Sequence, residues 1–379
     1  MEIYVVKSGD TVDLIAAYYD VSVDELVRIN QLTPPYRLAI GQALLIPSKE
    51  KETDRPFIYV GGYAYPYIDS SVLEETLPFL SNLFVFSYGY TPEGEILPPP
   101  VDDTFMIELA KRYGTRPILT LAPIDESGNF NNLLIHQLLN NQEAIDTLTE
   151  NLLNTVTDRG FEGVDLDFEY ILAADREAYV AFVEHIQQAV ATLGYQTSVA
   201  LAPKTSANQR GILYEGLDYS GLGAAADHVL LMTYEWGFTF SEPRAVAPIN
   251  EVRKVVEYAI SVIPAEKINL GIPNYGYDWT LPFIPGQSRA TAISLEYAIT
   301  LAINHDVPIE FDEVAMSPHF TYFENGTQHE VWFEDVRSIR EKLNLVLEYD
   351  LRGVSYWQIL RFFYPNWVLL DNTFRIQKS

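Results

Sequence analysis

The sequence of 379 residues contains no cysteine, which excludes both a disulfide framework and thiol chemistry. The compartment stays open, because a domain of this size does not need disulfides to fold. The first ten residues have neither the basic nor the apolar segment of a signal peptide, and no apolar run is long enough to span a bilayer. We therefore expect a protein made in the cytoplasm without a signal peptide and without membrane insertion.

Positive charge is also scarce. The sequence has 25 Lys and Arg against 52 Asp and Glu, which gives a formal net charge of −27. Nucleic acids and anionic membrane surfaces are bound by clusters of basic residues, so neither is an expected partner. Acidic charge also keeps proteins soluble, and that is its ordinary role. A hydrophobic content of 48% indicates a globular protein with a substantial core.

Residues 1–48 have the pattern of a small separate unit. A strand at residues 3–6 precedes a helix with apolar residues such as Val12 and Ile15 at helical spacing, which Asp10 or Thr11 can cap. A second short helix and a closing strand at residues 43–46 complete a βααβ unit. Residues 49–56 are polar and charged, and we interpret them as a linker.

This unit resembles a LysM module over its whole length. The matching positions are Tyr4-Val5-Val6, Gly9-Asp10-Thr11, Ile15-Ala16, Asn30, Gly41-Gln42-Ala43-Leu44 and Ile46-Pro47. The resemblance implies binding of glycans that contain N-acetylglucosamine, as in peptidoglycan or chitin. The groove would lie between the loops at residues 9–12 and 34–41, with contacts from Gly9, Asp10, Thr11 and Ile40. The alternative is a small structural cap on the domain that follows.

From residue 57 to residue 379, strand-like and helical segments alternate, which points to a parallel sheet with helices outside. Eight strand-like runs fit a (β/α)₈ TIM barrel in the α/β class. A doubly wound sheet is the alternative, but no Gly-rich phosphate loop follows any strand. Between strands 7 and 8 the sequence predicts an α+β insertion at about residues 282–345, with a hairpin turn at Asn325-Gly326.

Residues 164–169 alternate strictly between apolar and acidic side chains. On a strand, this alternation places Asp165, Asp167 and Glu169 on one face. Close like charges raise the pKa of one member of the group. A protonated acid beside ionised neighbours is what the cleavage of a glycosidic bond requires, so the sequence predicts a glycoside hydrolase.

Residues 161–169 resemble the signature of family 18 glycoside hydrolases, D-G-x-D-x-D-x-E. The resemblance extends over residues 56–370 and includes residues 232–235, residues 271–276 and Trp357. It implies a retaining mechanism in which the 2-acetamido carbonyl of the substrate is the nucleophile. Glu169 would be the general acid, Asp167 would orient the acetamido group, and Asp165 would modulate the charge on Asp167.

The same resemblance implies further site residues but no metal and no other cofactor. Tyr234 would donate its hydroxyl to the acetamido oxygen, and Trp357 would lie under the sugar. Glu235, Met232, Tyr63 and Asn274 complete the expected substrate contacts. The sequence departs from the family pattern at three positions, with Glu162 and Glu235 in place of Asp and Phe168 in place of Trp. The third strand also lacks the Ser-x-Gly-Gly of ordinary chitinases.

The combination of LysM module, linker and barrel without a signal peptide resembles bacterial spore cortex-lytic or germination N-acetylglucosaminidases. This resemblance implies cortex peptidoglycan as the substrate and a location in the spore coat, cortex or cell envelope, and we expect a monomer. The alternatives are a chitinase or endo-N-acetylglucosaminidase acting on chitin-like oligomers, and a catalytically weak glycan-binding lectin. The acidic face could also hold a divalent metal ion.

Overall fold

The structure is a computed structural model that describes residues 1–47 and 54–378. Most of the predicted linker at residues 49–56 lies outside these residues. The amino-terminal unit consists of β1 (Glu2–Val5), α1 (Val12–Tyr19), α2 (Val23–Ile29) and β2 (Ala43–Ile46). The two strands pair antiparallel, and side-chain oxygens of Thr11 and Ser22 cap the two helices. The predicted βααβ order is therefore observed.

Eight parallel strands close into a barrel, which confirms the predicted TIM-barrel fold. In chain order they are β3 (Phe57–Ala64), β4 (Asn82–Tyr90), β6 (Arg116–Leu121), β7 (Gly163–Leu166), β8 (Gln196–Leu201), β9 (His228–Leu231), β10 (Ile268–Pro273) and β16 (Gly353–Trp357). Pairing of β16 with β3 completes the ring. The short strand β5 (Ile96–Leu97) pairs antiparallel with β4, and the short strand β17 (Arg375–Ile376) pairs parallel with β3.

Helices surround the barrel because their apolar faces cover the outer side of the strands. They are α3 (Ser70–Thr76), α4 (Thr104–Arg112), α5 (Asn132–Leu139), α6 (Gln142–Arg159), α7 (Arg176–Ala191), α8 (Tyr219–Ala225), α9 (Ile249–Ile260), α11 (Val336–Glu348) and α12 (Tyr364–Thr373). Short 3₁₀ turns occur at Leu77–Phe79, Ala173–Asp175 and Ala265–Lys267. No helix in residues 1–47 or 54–378 combines the length and apolarity needed to cross a membrane.

The insertion between β10 and β16 is an antiparallel sheet with one helix. It contains β11 (Gly276–Thr280), β12 (Thr291–Ile293), α10 (Leu295–His305), β13 (Glu310–Asp312), β14 (Ser317–Glu324) and β15 (Thr327–Trp332), in the strand order β12-β11-β15-β14-β13. Asn325 and Gly326 both have positive φ, as the predicted hairpin turn requires. The sheet starts before the predicted residue 282, because β11 follows β10 after two residues. It ends before residue 345, because α11 packs against the barrel.

Two strands end shortly before the residues that the sequence analysis singles out. The strand with alternating residues 164–169 ends at Leu166, and β9 ends at Leu231. Asp167, Glu169 and Tyr234 therefore follow their strands directly, at the carboxyl-terminal rim where such barrels carry their active sites.

The LysM module packs against the barrel. Its Ile29, Ala39 and Leu45 belong to the same buried apolar cluster as the barrel core. The side chain of Gln31 accepts a hydrogen bond from Tyr364 N at 2.8 Å and donates one to the carbonyl of Phe362 at 3.2 Å. These contacts hold α12 against the module.

A second set of contacts joins the module to the insertion. The carbonyl oxygen of Ile40 accepts a hydrogen bond from Ile309 N at 2.8 Å. Arg37 donates to the carbonyl of Ile303 at 2.8 Å, and Arg337 donates to that of Gly41 at 3.2 Å. The loop at residues 34–41, predicted as half of the glycan groove, thus also forms part of an interface.

Substituting Gly41 tests this interface. Gly41 has φ +83°, and a Cβ there would lie 1.9 Å from the carbonyl oxygen of Ile309. Gly9 has a similar φ of +88° with nothing within 4 Å, so Gly9→Ala measures backbone strain alone, about 1–2 kcal/mol. We expect Gly41→Ala to lower the free energy of unfolding by about 1–3 kcal/mol more, because the interface must also shift. Equal losses in urea unfolding would show that the interface contributes nothing.

Candidate active site

Asp165 lies on β7 inside the barrel, where hydroxyl groups from three other strands surround it. Tyr63 donates to its carboxylate at 2.9 Å, Ser198 at 2.5 Å and Thr120 at 3.5 Å. Burial raises the pKa of Asp165 to about 6, although these three hydrogen bonds oppose the rise. Asp165 is therefore a buried carboxylate whose charge depends on its donors.

Asp167 lies above Asp165, and its side chain has fewer partners. It is 5% exposed, and its Oδ1 has no hydrogen-bond partner among the described residues. Burial, followed by the charges on Glu169 and Asp165, raises the pKa of Asp167 well above its usual range. An unpaired buried oxygen is costly, so this atom is available to accept a hydrogen bond from a ligand.

Glu169 lies at the rim and faces the solvent-accessible cavity. Burial raises its pKa, and the charge of Glu235 raises it further. Glu235 lies at the mouth, where burial of its carboxylate raises its pKa, and hydrogen bonds donated by Tyr275 at 2.5 Å and Tyr277 at 3.0 Å oppose that rise. These conditions favour the protonated form of Glu169, which a general acid needs.

Tyr234 follows β9 and reaches the same cavity. It is 8% exposed, and burial together with the charges of Asp167, Glu169 and Glu235 raises its pKa well above 10. Its hydroxyl therefore keeps its proton and can serve as a hydrogen-bond donor.

The cavity has a volume of about 670 Å³ and opens at the carboxyl-terminal rim. Its lining includes seven of the residues predicted from the sequence, namely Tyr63, Asp167, Glu169, Met232, Tyr234, Glu235 and Trp357. Trp357 lies among aromatic rings, with ring centroids 4.9 Å from Phe86, 5.8 Å from Tyr63 and 6.0 Å from Tyr65. An aromatic wall beside a carboxylate group suits a sugar, which presents apolar C–H faces and polar edges.

Asn274 does not lie with the other predicted residues. It is buried, and its amide donates to the carbonyls of Gln358 and Arg361 at 3.1 and 2.9 Å. The structure therefore places it behind the site, holding the loop after β16, and the expected substrate contact is not supported. Phe168 points away from the cavity and stacks with Tyr90, Tyr179 and Phe182.

Sequence reasoning missed several lining residues, among them Phe86 on β4. Tyr88, two residues further along, packs on the outside and donates to Asp103 at 2.7 Å, because an irregularity in β4 between Phe86 and Tyr88 breaks the alternation of side chains. The other missed aromatic residues come from loops after the strands: Phe130, Tyr170, Tyr214, Trp236 and Phe238. The abundance of aromatic residues in the sequence was a signal for a sugar site, but it did not indicate which of them line the cavity.

The four predicted LysM residues lie away from this cavity, on two loops of the module. The Asp10 carboxylate accepts from the Tyr4 hydroxyl and from Lys7 N, both at 2.7 Å, and Thr11 caps α1. Gly9 is exposed, and the Ile40 side chain is 49% exposed. Within the described chain, no group of three or more His, Cys, Asp or Glu residues is placed to hold a metal ion.

Comparison with known families gives two matches. The model of glycosyl hydrolases family 18 matches residues 127–361, and the model of the LysM domain matches residues 4–47. The first match contains Asp165, Asp167, Glu169, Tyr234 and Trp357.

Three proteins illustrate the similarity. The cortical fragment-lytic enzyme of Bacillus subtilis (strain 168) is 37% identical over 431 aligned positions, which cover 100% of this chain and 99% of that protein. The crystal structure of the spore cortex-lytic enzyme SleL of Bacillus megaterium QM B1551 has a TM-score of 0.94 at 33% identity, covering 100% and 99% of the two chains. A chitinase from Chromobacterium violaceum has a TM-score of 0.76 at 23% identity, covering 83% of this chain and 98% of the chitinase, and shares the fold.

The pKa of Asp165 makes stability depend on pH. Because this pKa is about 6 in the folded protein and about 3.9 in an unfolded chain, the stabilisation from its proton is complete below about pH 4 and is lost as the pH rises through 6. Relative to Asp165→Asn, the parent should gain about 1 kcal/mol of unfolding free energy between about pH 7.5 and about pH 5. Urea unfolding at both pH values measures this.

His228 also makes stability depend on pH, and the comparison of the two proteins removes its contribution. Burial lowers its pKa well below the usual value, so His228 destabilises the folded state as the pH falls. That contribution is common to the parent and the Asp165→Asn variant, and it cancels in their difference. A difference that stays constant with pH would contradict the raised pKa of Asp165.

Proposed function

The chain belongs to glycosyl hydrolase family 18, and from that premise we propose that it is an N-acetylglucosaminidase that cleaves β-1,4 bonds in spore cortex peptidoglycan. It is a glycoside hydrolase with a LysM module. The observation that carries the proposal is the position of Glu169, whose pKa is raised by burial and by the charge of Glu235, at a 670 Å³ cavity above the buried Asp167 and beside Tyr234.

The substrate follows from the whole-chain similarity. The cortical fragment-lytic and cortex-lytic relatives align over practically their full length, LysM module included. The third strand also lacks the Ser-x-Gly-Gly of ordinary chitinases. Both points favour cortex peptidoglycan over chitin, and they support action of this protein at the spore cortex or cell wall. That the protein works as a monomer stays a prediction.

Glu169 would start the reaction. Its carboxyl proton passes to the glycosidic oxygen as the bond between that oxygen and the anomeric carbon breaks. The acetamido carbonyl oxygen of the same sugar bonds to the anomeric carbon from the opposite face, which gives a positively charged oxazolinium intermediate. Water then attacks the anomeric carbon and gives a proton to the Glu169 carboxylate, while the bond between that carbon and the acetamido oxygen breaks and the acetamido group is restored. The two inversions together retain the configuration.

Asp167 and Tyr234 would hold the acetamido group for that attack. The unpartnered Oδ1 of Asp167 can accept a hydrogen bond from the acetamido N–H, and the Tyr234 hydroxyl can donate to the acetamido oxygen. A negative charge on Asp167 would stabilise the oxazolinium cation in a site with little water. Trp357 supplies an aromatic surface for the same sugar.

The LysM module would attach the enzyme to the wall. The loops that carry Gly9, Asp10, Thr11 and Ile40 would contact glycan, and this would raise the local concentration of cleavable bonds. Because the module packs on the barrel, we propose an anchor at a fixed position rather than one on a flexible tether.

Glu169→Gln tests the catalytic assignment. The amide is similar in size but cannot donate a carboxyl proton, so kcat on soluble cortex fragments should fall by about 10²–10⁴. The variant should still sediment with insoluble cortex. Mass spectrometry of the parent's products should show N-acetylglucosamine at the new reducing ends. Equal cleavage rates for the parent and Glu169→Gln would rule out Glu169 as the general acid, and absence of cleavage by both would support the lectin alternative.

The substrate itself provides a control for the mechanism in the same assay. Fragments whose N-acetylglucosamine residues are converted to glucosamine have no carbonyl to attack the anomeric carbon. The parent enzyme should leave them intact while it cleaves the acetylated fragments. Cleavage of both at similar rates would point to a protein nucleophile.

Ile40→Asp tests the LysM anchor without removing the module. The side chain is half exposed while the backbone carbonyl keeps its bond to Ile309, so the charge should disturb glycan contact and leave the fold intact. We expect weaker sedimentation with cortex, by severalfold, and unchanged turnover of short fragments. Val314→Asp, at a 68% exposed position of the insertion, is the matched control. Unchanged sedimentation of Ile40→Asp would count against this loop as a glycan contact.

A further inference from the structure

A row of polar side chains crosses the inside of the barrel below the active site. In the strand register, Thr120 on β6 pairs with Asp165 on β7, Asp165 pairs with Ser198 on β8, and Ser198 pairs with His228 on β9. We call these four residues the floor row. Paired residues on neighbouring parallel strands point to the same side of a sheet, and Asp165 accepts hydrogen bonds from both Thr120 and Ser198.

The far end of the floor row meets a small cavity. This cavity of about 10 Å³ lies at the amino-terminal end of the barrel, and its lining includes Asn82, Ser198 and His228. Ser198 therefore touches Asp165 on one side and the cavity on the other.

Polar atoms without partners surround this cavity. Both ring nitrogens of His228 and the Oδ1 of Asn82 are buried and have no hydrogen-bond partner among residues 1–47 and 54–378. A neutral imidazole has one donor nitrogen and one acceptor nitrogen, and each costs free energy when left unpaired in the interior. The cavity volume matches a single water molecule, and such a molecule needs two to four polar partners.

We propose that one ordered water molecule in this cavity bonds to His228, Asn82 and the Ser198 hydroxyl oxygen, and that it thereby fixes the Ser198 hydroxyl as a donor to Asp165. The proposal rests on the catalytic roles given above to the Asp165 neighbours. Ser198 and His228 are positioning residues, because they act on the active site only through Asp165.

The direction of the effect follows from the hydrogen bond. A donor stabilises the ionised form of Asp165, so losing the Ser198 donor favours the protonated form. The proton would then stay on the Asp165–Asp167 pair to higher pH. The pair would carry less negative charge, so it would stabilise the oxazolinium cation less well. Activity should therefore be lost at a higher pH on the acidic side of its pH profile.

Other titratable groups face both ends of the row, and they stay the same in the variants below. Those that face Asp165 are Tyr63, Asp167, Tyr179 and Tyr234. Those that face His228 or line the cavity beside it are Tyr59, Arg116, Glu162, Lys267 and Arg352. Burial holds the pKa of His228 well below its usual value, so the ring stays neutral through the working range.

The test is the pH dependence of kcat/KM on soluble cortex fragments. Ser198→Ala should move the acidic limb upward by about one pH unit. His228→Leu, which removes the ring nitrogens, should move it the same way by less, and His228→Asn, which keeps polar atoms, should restore it. Thr197→Val is the matched control, because Thr197 precedes Ser198 on β8, points to the opposite face and has a hydroxyl without a partner among the described residues.

A shape-only role would lower kcat or the melting temperature of Ser198→Ala without moving the limb, and that result overturns the proposal. A high-resolution crystal structure of the parent gives a second, independent outcome. Water density within hydrogen-bond distance of a His228 nitrogen and Ser198 Oγ supports the proposal, and a dry cavity refutes it. If the parent cleaves no fragments at all, the proposed function fails, but the density still decides the water site.

Discussion

Like-charge repulsion in a space that water barely enters is the constraint that the site depends on. Asp165, Asp167 and Glu169 share one face, and charges at a few ångströms repel strongly when the local dielectric is low. The barrel gives each of the three carboxyl groups different surroundings. Asp165 receives three hydroxyl donors, Asp167 leaves an oxygen unpaired, and Glu169 reaches the rim. This arrangement distinguishes three chemically similar groups, because hydroxyl donors oppose the rise in the pKa of Asp165, whereas burial and neighbouring charge both raise the pKa of Asp167 and of Glu169.

The barrel and its acidic face could be predicted from the sequence because both follow from local periodicity. Alternation at residues 164–169 places the three carboxylates together in any strand, whichever neighbours it has. The order of strands and helices likewise requires a parallel sheet with helices outside. Tyr234 and Trp357 were found in another way, through positions that match a family motif, since nothing local indicates that residues so far apart in the chain share one cavity.

The remaining features depend on register and packing, which a single sequence does not contain. Ser198 meets Asp165 because β7 and β8 pair at those residues, and no pattern along either strand encodes this. Tyr88 lies on the opposite side of β4 from Phe86, although the two are two residues apart, because one irregularity in β4 shifts the alternation. Asn274 lies in a motif that matches the family, yet its amide is used by two backbone carbonyls. A motif identifies a residue, whereas its partners decide what that residue can do.

The insertion contacts both the LysM module and the residues at the mouth of the cavity. At one side of its sheet, β11 supplies Tyr277, whose hydroxyl donates to Glu235 at the mouth of the cavity. At the other, Ile309 precedes β13 and donates to Ile40 of the LysM module. One continuous set of hydrogen-bonded strands therefore runs from the LysM module to Glu235, and the charge of Glu235 in turn raises the pKa of Glu169.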